Sequence, residues 1–248
     1  MNPAWYRTFF DGIAVDFWVA AATPEWTTSD VAMIWRELNL KSGDRVLDCP
    51  CGHGRHAVEL ARRGCELIGV DISPYCLTLA SDAAKKADVS LDLRLGDMLE
   101  LPSLPPCDAA YTLGNAFGYM DYDGTSRFAR GVAAVLRSGG RWLIDTGVAA
   151  ESILPTLKPE MEFTLGGIHT NITNKYLAEQ SCLETTFVFT KDGQTTTQQN
   201  WSFVFTVAEI RRLLTAAGFT ILALYGSPVR GPYTLGGGFL YIVAEKAQ

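Results

Sequence analysis

Two acids set around a glycine-rich turn are the residues of this chain best suited to chemistry. The run Arg45-Val46-Leu47-Asp48-Cys49-Pro50-Cys51-Gly52-His53-Gly54-Arg55-His56 holds a short apolar segment ending in Asp48, a loop with two glycines, and a helix start. A second apolar run, Leu67-Ile68-Gly69-Val70, ends in Asp71. Glycines let a backbone approach a ligand, a helix start offers N–H groups without intrahelical partners, and an acid closing the second strand accepts hydrogen bonds from a ribose diol. The chemistry predicted is recognition of a nucleoside. The literal pattern Gly52-x-Gly54-x-x-Ala57 also fits a dinucleotide fingerprint, so the glycines alone leave a nicotinamide and another adenosyl ligand open. Asp48 separates them: a carboxylate at that strand end opposes a pyrophosphate and suits a ligand group carrying positive charge.

The elements that must position these residues follow in order. From residue 41 to about 150 strands and helices alternate, which predicts a parallel sheet with right-handed crossovers. Ser73 caps the second helix of this region and Pro74 takes its first position. Leu91 to Leu95 reads as a third strand followed by Gly96-Asp97-Met98, and Asp108 to Leu113 as a fourth followed by Gly114-Asn115-Ala116-Phe117-Gly118-Tyr119. Arg137 to Asp145 reads as a helix end, a glycine turn and a fifth strand. Near the end, Thr206-Val207-Ala208-Glu209 is a capping box opening a helix that stops at Gly218, before two further apolar runs, Phe219 to Tyr225 and Phe239 to Glu245.

Two regions depart from that alternation. Residues 1 to about 40 form an aromatic lead-in with Trp5, Tyr6, Phe9, Phe10, Phe17, Trp18 and Trp26. Within it Thr28-Ser29-Asp30 is expected to cap a helix carrying Val31, Ile34, Trp35 and Leu38 on one face. Residues 151 to about 205 break the pattern: Glu162 to Thr173, Tyr176 to Thr190 and Thr195 to Phe205 read as antiparallel strands, with Lys191-Asp192-Gly193 as a turn. The expected organisation is a lead-in over 1–40 and a main domain over 41–248 that contains this β insertion.

The acids and glycine turns, in this order over nearly the whole chain, resemble the class I methyltransferases that use S-adenosylmethionine. Their first motif, acid-x-Gly-x-Gly-x-Gly, lies over Asp48, Pro50, Gly52 and Gly54, with Pro50 replacing the first glycine. The resemblance implies an α/β fold: a Rossmann-like three-layer sandwich with a mostly parallel seven-stranded sheet, last strand antiparallel, plus the antiparallel β insertion. It implies S-adenosylmethionine as cofactor and S-adenosylhomocysteine as product. The cofactor residues it implies are Asp48, Cys49, Pro50, Cys51, Gly52, Gly54, His56, Asp71, Ile72, Asp97, Met98, Leu113 and Gly114, with Asp71 on the ribose, Asp97 on the adenine amino group and Met98 against the ring. In this family such an insertion covers the active site or forms an oligomer contact; an edge extension of the main sheet is the other placement.

Trp5-Tyr6-x-x-Phe9-Phe10, Pro50-Cys51-Gly52 with Gly54-Arg55-His56, and Phe117-Gly118-Tyr119 narrow the resemblance to a bacterial group of small methyltransferases. The acceptor implied is a small molecule with an N or O nucleophile. Methyl transfer is an in-line displacement at an already activated carbon, so alignment counts for most. His169 in the insertion, Tyr119 after the fourth strand and Asn115 are the candidate catalytic residues, with Tyr6 beside them; a surface or packing role stands as the plain reading of each. His53 and His56 sit at a helix start, whose positive end disfavours imidazolium, and read as neutral loop residues.

Composition bounds the remaining classes. Charged residues are 19% of the chain, apolar ones 48%, and the formal charge is −6, so a nucleic-acid partner is not expected and a buried homodimer face fits the apolar share. No apolar run reaches membrane-spanning length, and the first residues lack a basic stretch with an apolar core, so neither a membrane partner nor a signal peptide is expected. The six cysteines make no paired CxxC spacing, which predicts reduced thiols, a cytoplasmic protein and no metal site. The competing functions are a non-catalytic adenosyl-ligand-binding protein, an NAD-dependent oxidoreductase and a tRNA methyltransferase.

Overall fold

The computed structural model describes Asn2 and residues 4–247. The reading of the chain's start as leaderless touches Met1 and Pro3, which lie outside the described residues. In chain order the helices are α1 (Tyr6–Phe9), α2 (Gly12–Ala21), α3 (Pro24–Glu37), α4 (Arg55–Arg62), α5 (Pro74–Lys86), α6 (Tyr122–Val135), α7 (Ala150–Thr156) and α8 (Val207–Ala216). The strands are β1 (Arg45–Asp48), β2 (Glu66–Asp71), β3 (Asp92–Leu95), β4 (Cys107–Thr112), β5 (Leu136–Thr146), β6 (Glu160–Leu165), β7 (Ile168–Leu177), β8 (Cys182–Lys191), β9 (Gln194–Phe203), β10 (Phe219–Tyr225) and β11 (Leu240–Lys246).

Seven strands form one sheet in the order β10-β11-β5-β4-β1-β2-β3, and β11 runs antiparallel to both of its neighbours. Because helices cover both faces, the central strands are apolar at nearly every position, and alternate residues feed two cores. Leu47, Ile68, Val70, Ala110, Trp142 and Ile144 face one core with Phe128 and Val132 of α6 and Leu213 of α8. Val46, Leu67, Ala109, Tyr111 and Leu143 face the other, with Val31 and Ile34 of α3 and Leu60 of α4. In parallel register Asp48 lies opposite Gly69 on β2 and Tyr111 on β4, so the ends of β1, β2 and β4 open together at one edge. The glycine loop leaves the sheet at that edge.

The insertion is a separate four-stranded antiparallel sheet, β6-β7-β8-β9, and not an edge extension of the main one. It also has four strands where period-two alternation suggested three. Gly166 and Gly167, both at positive φ (57° and 76°), turn β6 into β7 inside the segment read as one strand. Alternation continues straight through a two-residue hairpin turn, so the Gly-Gly pair was the only local sign of it. A second break, at Ala178–Gln180 and Ser181, divides the next segment. The sheet rests on the lead-in: Phe187 stacks on Phe189 and meets Phe9 at 5.5 Å and Trp18 at 6.2 Å between ring centroids, while Phe189 meets Phe17 at 5.6 Å.

The lead-in helix α3 starts earlier than expected. Thr23, with Pro24 at the first helical position, caps it by accepting the Trp26 N–H at 3.2 Å, while the Thr28 hydroxyl turns back to the Pro24 carbonyl. The true cap is a Thr-Pro pair, which outweighs Thr28-Ser29-Asp30 because proline pre-sets the first helical φ. Elsewhere the caps lie where local chemistry puts them: Ser73 accepts the Cys76 N–H, and Thr206 and Glu209 form the reciprocal capping box.

Candidate functional site

The loop after β1 is strapped down at several of its peptides. Trp142 on β5 donates its indole N–H to the Thr112 hydroxyl, which in turn donates to the Cys49 carbonyl at 2.7 Å. The Cys51 N–H bonds the Val70 carbonyl, and the Gly52 N–H donates to Asp71 Oδ2 at 2.7 Å. The other oxygen of Asp71 accepts the Ser73 N–H at 2.9 Å. One carboxylate therefore ties the glycine loop to the start of α5. Gly54, at φ +75°, ends the loop where an added Cβ would lie 2.8 Å from the Ala80 Cβ of α5.

Above this edge lies a cavity. From the loop and strand ends it is lined by Cys49, Pro50, Cys51, Gly52, His53, Arg55, His56, Val70, Asp71, Ile72, Cys76, Gly96, Met98, Leu113 and Gly114, and by Tyr119. Its roof is the lead-in: Tyr6, Phe10, Val15, Trp18, Ala21, Ala22 and Trp26. No residue of the β insertion lines it among the described residues. The roof is latched at two points: Tyr75 of α5 donates its hydroxyl to Asp16 at 2.8 Å, and Arg7 donates to Asp97 Oδ2 at 2.6 Å with the Tyr6 hydroxyl nearby at 3.4 Å.

The structure thus brings together ten of the expected cofactor positions: Cys49, Pro50, Cys51, Gly52, His56, Asp71, Ile72, Met98, Leu113 and Gly114. It places Asp48, Gly54 and Asp97 outside the lining. Asp48 is buried behind the loop and accepts the Tyr111 hydroxyl at 2.7 Å. Asp97 is taken up by Arg7, Tyr6 and the Leu99 N–H. Of the candidate catalytic residues only Tyr119 lines the cavity, its ring 4.9 Å from Trp5 and 5.5 Å from Phe10. Asn115 spends its amide oxygen on the Gly147 N–H at 2.7 Å. His169 is exposed on β7, bonded to Thr164 and Asn171.

Sequence reasoning missed the roof residues Val15, Ala21 and Ala22, and it missed Arg55 and its partner Asp30. Arg55 could have been noticed as the first residue of α4; Asp30, read as a helix cap, gave no other sign.

Burial governs the ionisation of these groups. It pushes the Asp71 carboxyl up against the lowering effect of its backbone N–H bonds, and holds the Cys49 and Cys51 thiols far above their ordinary value, so neither is a thiolate. His53 is pushed down to about 4 by burial and by the charge of Arg55. Tyr119 is raised, chiefly by burial, and keeps its proton.

Asp145, at the end of β5, accepts the Gly114 and Asn115 N–H groups at 3.2 and 2.8 Å and so fixes the loop after β4. Burial pushes its carboxyl up to about 6 against those two bonds. A carboxyl raised above its unfolded value favours the fold when protonated, so its contribution is full below about pH 4 and is lost as pH rises through about 6. Thermal unfolding of wild type relative to Asp145→Asn should therefore show wild type gaining as pH falls across this window, by at most about 3 kcal/mol. His53 titrates there with the opposite sign, but it is common to both proteins and cancels in the difference. A difference independent of pH would contradict the raised carboxyl.

Residues 46–140 match the family model described as a methyltransferase domain. Over these residues the chain carries a methyltransferase domain. A magnesium-protoporphyrin O-methyltransferase from Rhodobacter capsulatus is 30% identical over 129 residues, which cover 46% of this chain and 57% of that protein. A ubiquinone biosynthesis O-methyltransferase from Azorhizobium caulinodans is 27% identical over 204 residues, covering 81% of this chain and 69% of the relative. The chain therefore spans little more than half of the first relative's length. Among solved structures, an amino pentose methyltransferase from Micromonospora echinaspora, with S-adenosylmethionine bound, superposes with a TM-score of 0.70 at 17% identity, over 96% of this chain and 98% of that one. The methyltransferase domain has the fold and the cofactor class that the family resemblance implied.

Proposed function

We propose that the protein is an enzyme that transfers a methyl group from S-adenosylmethionine to an N or O nucleophile of a small molecule, an amine above all. The observation that carries this reading is Asp71, a buried carboxylate fixed to the glycine loop at the wall of a cavity roofed by aromatic side chains. The residues present fit the cofactor. Asp71 accepts hydrogen bonds from a ribose diol, Ile72 and Met98 offer an apolar wall to the base, and the loop backbone lies close because Gly52 and Gly54 carry no side chain. When bound, the cofactor supplies an activated methyl group on a sulfonium.

The chain's own residues then align and enclose. Trp18, Trp26, Phe10 and Tyr6 exclude water from the cavity, and aromatic faces near a cation contribute roughly 0.5–2 kcal/mol. Tyr119, protonated, orients an acceptor through its hydroxyl and removes no proton. Among the described lining residues no strong general base is present: the cysteines stay thiols, Asp71 holds the loop, and His53 at about 4 is weakly basic. An amine that has shed its proton to solvent needs no such base, whereas a hydroxyl does. In this reading residues 1–40 are the lid and the β insertion is its buttress, supporting Phe9, Phe17 and Trp18 from outside.

The relatives agree with a small acceptor, since two are O-methyltransferases of small molecules by name and a structural neighbour acts on an amino pentose. Release of S-adenosylhomocysteine should be measured against a panel of small amines and matched hydroxyl compounds. Turnover confined to the amines, with a rate that rises as the amine loses its proton, is the expected result. Intact cofactor binding with no turnover for any acceptor class would favour a non-catalytic binding protein instead.

A further inference from the structure

Where α2 ends and α3 begins, the roof of the cavity presents two tryptophans. The turn between the helices is Ala22 and Thr23 alone, and it anchors both rings' backbones. The Ala22 N–H donates to the Trp18 carbonyl at 3.2 Å, and the Thr23 hydroxyl accepts the Trp26 N–H at 3.2 Å. Pro24 fixes the first helical φ of α3. Neighbours brace each indole as well. Trp18 meets Phe17 edge-on at 5.1 Å and Phe187 at 6.2 Å, and the Arg55 guanidinium, paired with Asp30 at 2.7 Å, lies 5.0 Å from the Trp26 ring. Yet Trp18 is 42% exposed and Trp26 40%. Between them the chain gives the cavity only the methyl groups of Ala21 and Ala22. Two indoles fixed this firmly and left this open hold apolar surface for a partner other than the protein core.

Polar chemistry is scarce in the same roof. Its one hydroxyl, on Tyr6, is directed to Asp97 at 3.4 Å. Phe10, Val15, Ala21 and Ala22 carry no polar side-chain atom, and each tryptophan offers a single N–H donor. An acceptor covered in hydroxyls would leave several of them unpaired here, each costing about ten-fold in affinity. A flat apolar ring pays no such penalty and gains by lying against aromatic faces. We propose that the α2–α3 corner is the acceptor subsite and that it selects an amine carried on a flat, apolar ring, with Trp18 and Trp26 as the specificity-determining residues. The proposal rests on the methyl-transfer reading above and deepens it. The ribose and base lie toward Asp71, Ile72 and Met98 at the strand ends, and the acceptor ring lies under the roof. It also gives the lead-in a second task, since both rings that choose the acceptor come from the lid.

Three amines separate shape from polarity. 2-Phenylethylamine carries a flat ring, 2-cyclohexylethylamine a puckered ring of similar size, and glucosamine a ring covered in hydroxyls. Each is titrated calorimetrically into protein saturated with S-adenosylhomocysteine, as wild type, Trp18→Leu and Trp26→Leu. Wild type is expected to bind 2-phenylethylamine about 3- to 10-fold more tightly than 2-cyclohexylethylamine, and at least about 10-fold more tightly than glucosamine. In both variants the preference for the flat ring over the puckered one should fall toward one. That ratio cancels any effect of the substitutions on the cofactor itself. No binding of 2-phenylethylamine to wild type, equal affinity for flat and puckered rings, tighter binding of glucosamine, or a ratio unmoved in both variants would overturn the assignment. Turnover of the same amines with S-adenosylmethionine is read separately. Selective ring binding without methylation would sink the methyl-transfer reading and leave the ring site standing.

Discussion

Asp71→Ala is expected to raise the dissociation constant for S-adenosylhomocysteine by at least about 100-fold. Two effects act together. A buried carboxylate that accepts hydrogen bonds from ligand hydroxyls contributes about 1.5–3 kcal/mol for each charge-assisted bond. The same carboxylate also holds the Gly52 and Ser73 N–H groups, so its removal releases the loop and the start of α5 from each other. Asp71→Asn keeps one oxygen acceptor but not the charge, and should lose roughly ten-fold. Calorimetric titration measures both. An alanine variant that binds as wild type does would place the ribose elsewhere.

Gly54→Ala should cost about 2–4 kcal/mol of stability and most of the cofactor affinity. A non-glycine residue at φ +75° is strained by about 1–2 kcal/mol. Here the new Cβ would also lie 2.8 Å from the Ala80 Cβ, and alanine has no rotamer with which to move aside. Gly52→Ala is the control. It meets the same backbone strain at φ +52°, but nothing lies within 4 Å of the added atom. Urea unfolding should rank Gly54→Ala well below Gly52→Ala, and Ala80→Gly in the Gly54→Ala background should recover part of the loss. Equal midpoints for the two single variants would contradict close packing of the loop on α5.

These two positions were legible in the sequence because their chemistry is local. A glycine pair after an apolar run, an acid closing the next run, Ser73-Pro74 and the Thr206–Glu209 box each declare an element within a few residues. The alternation of buried runs with capped helices likewise pointed to the parallel sheet, and the family resemblance added its final antiparallel strand. What the sequence hid is tertiary. Asp97 carries the motif position of an adenine contact, yet its carboxylate meets Arg7 and Tyr6 some ninety residues away. Asp48 faces Tyr111 across the sheet, a partner set by β1–β4 register and by no local pattern. The lead-in looked like core packing, and part of it is, but α2 and α3 turn Trp18 and Trp26 toward the cavity. His169 shows the converse: polar neighbours on a strand suggested reach toward a site, and the strand belongs to a sheet with no residue in the cavity lining among the described residues.

The most direct test of the account is a calorimetric titration of the wild-type protein with S-adenosylhomocysteine and, separately, with NAD. The account predicts binding of S-adenosylhomocysteine in about the micromolar range and no heat with NAD, since Asp71 at the cavity wall suits a ribose diol and the aromatic roof suits a sulfur ligand rather than a pyrophosphate. Saturable NAD binding without S-adenosylhomocysteine binding would contradict it.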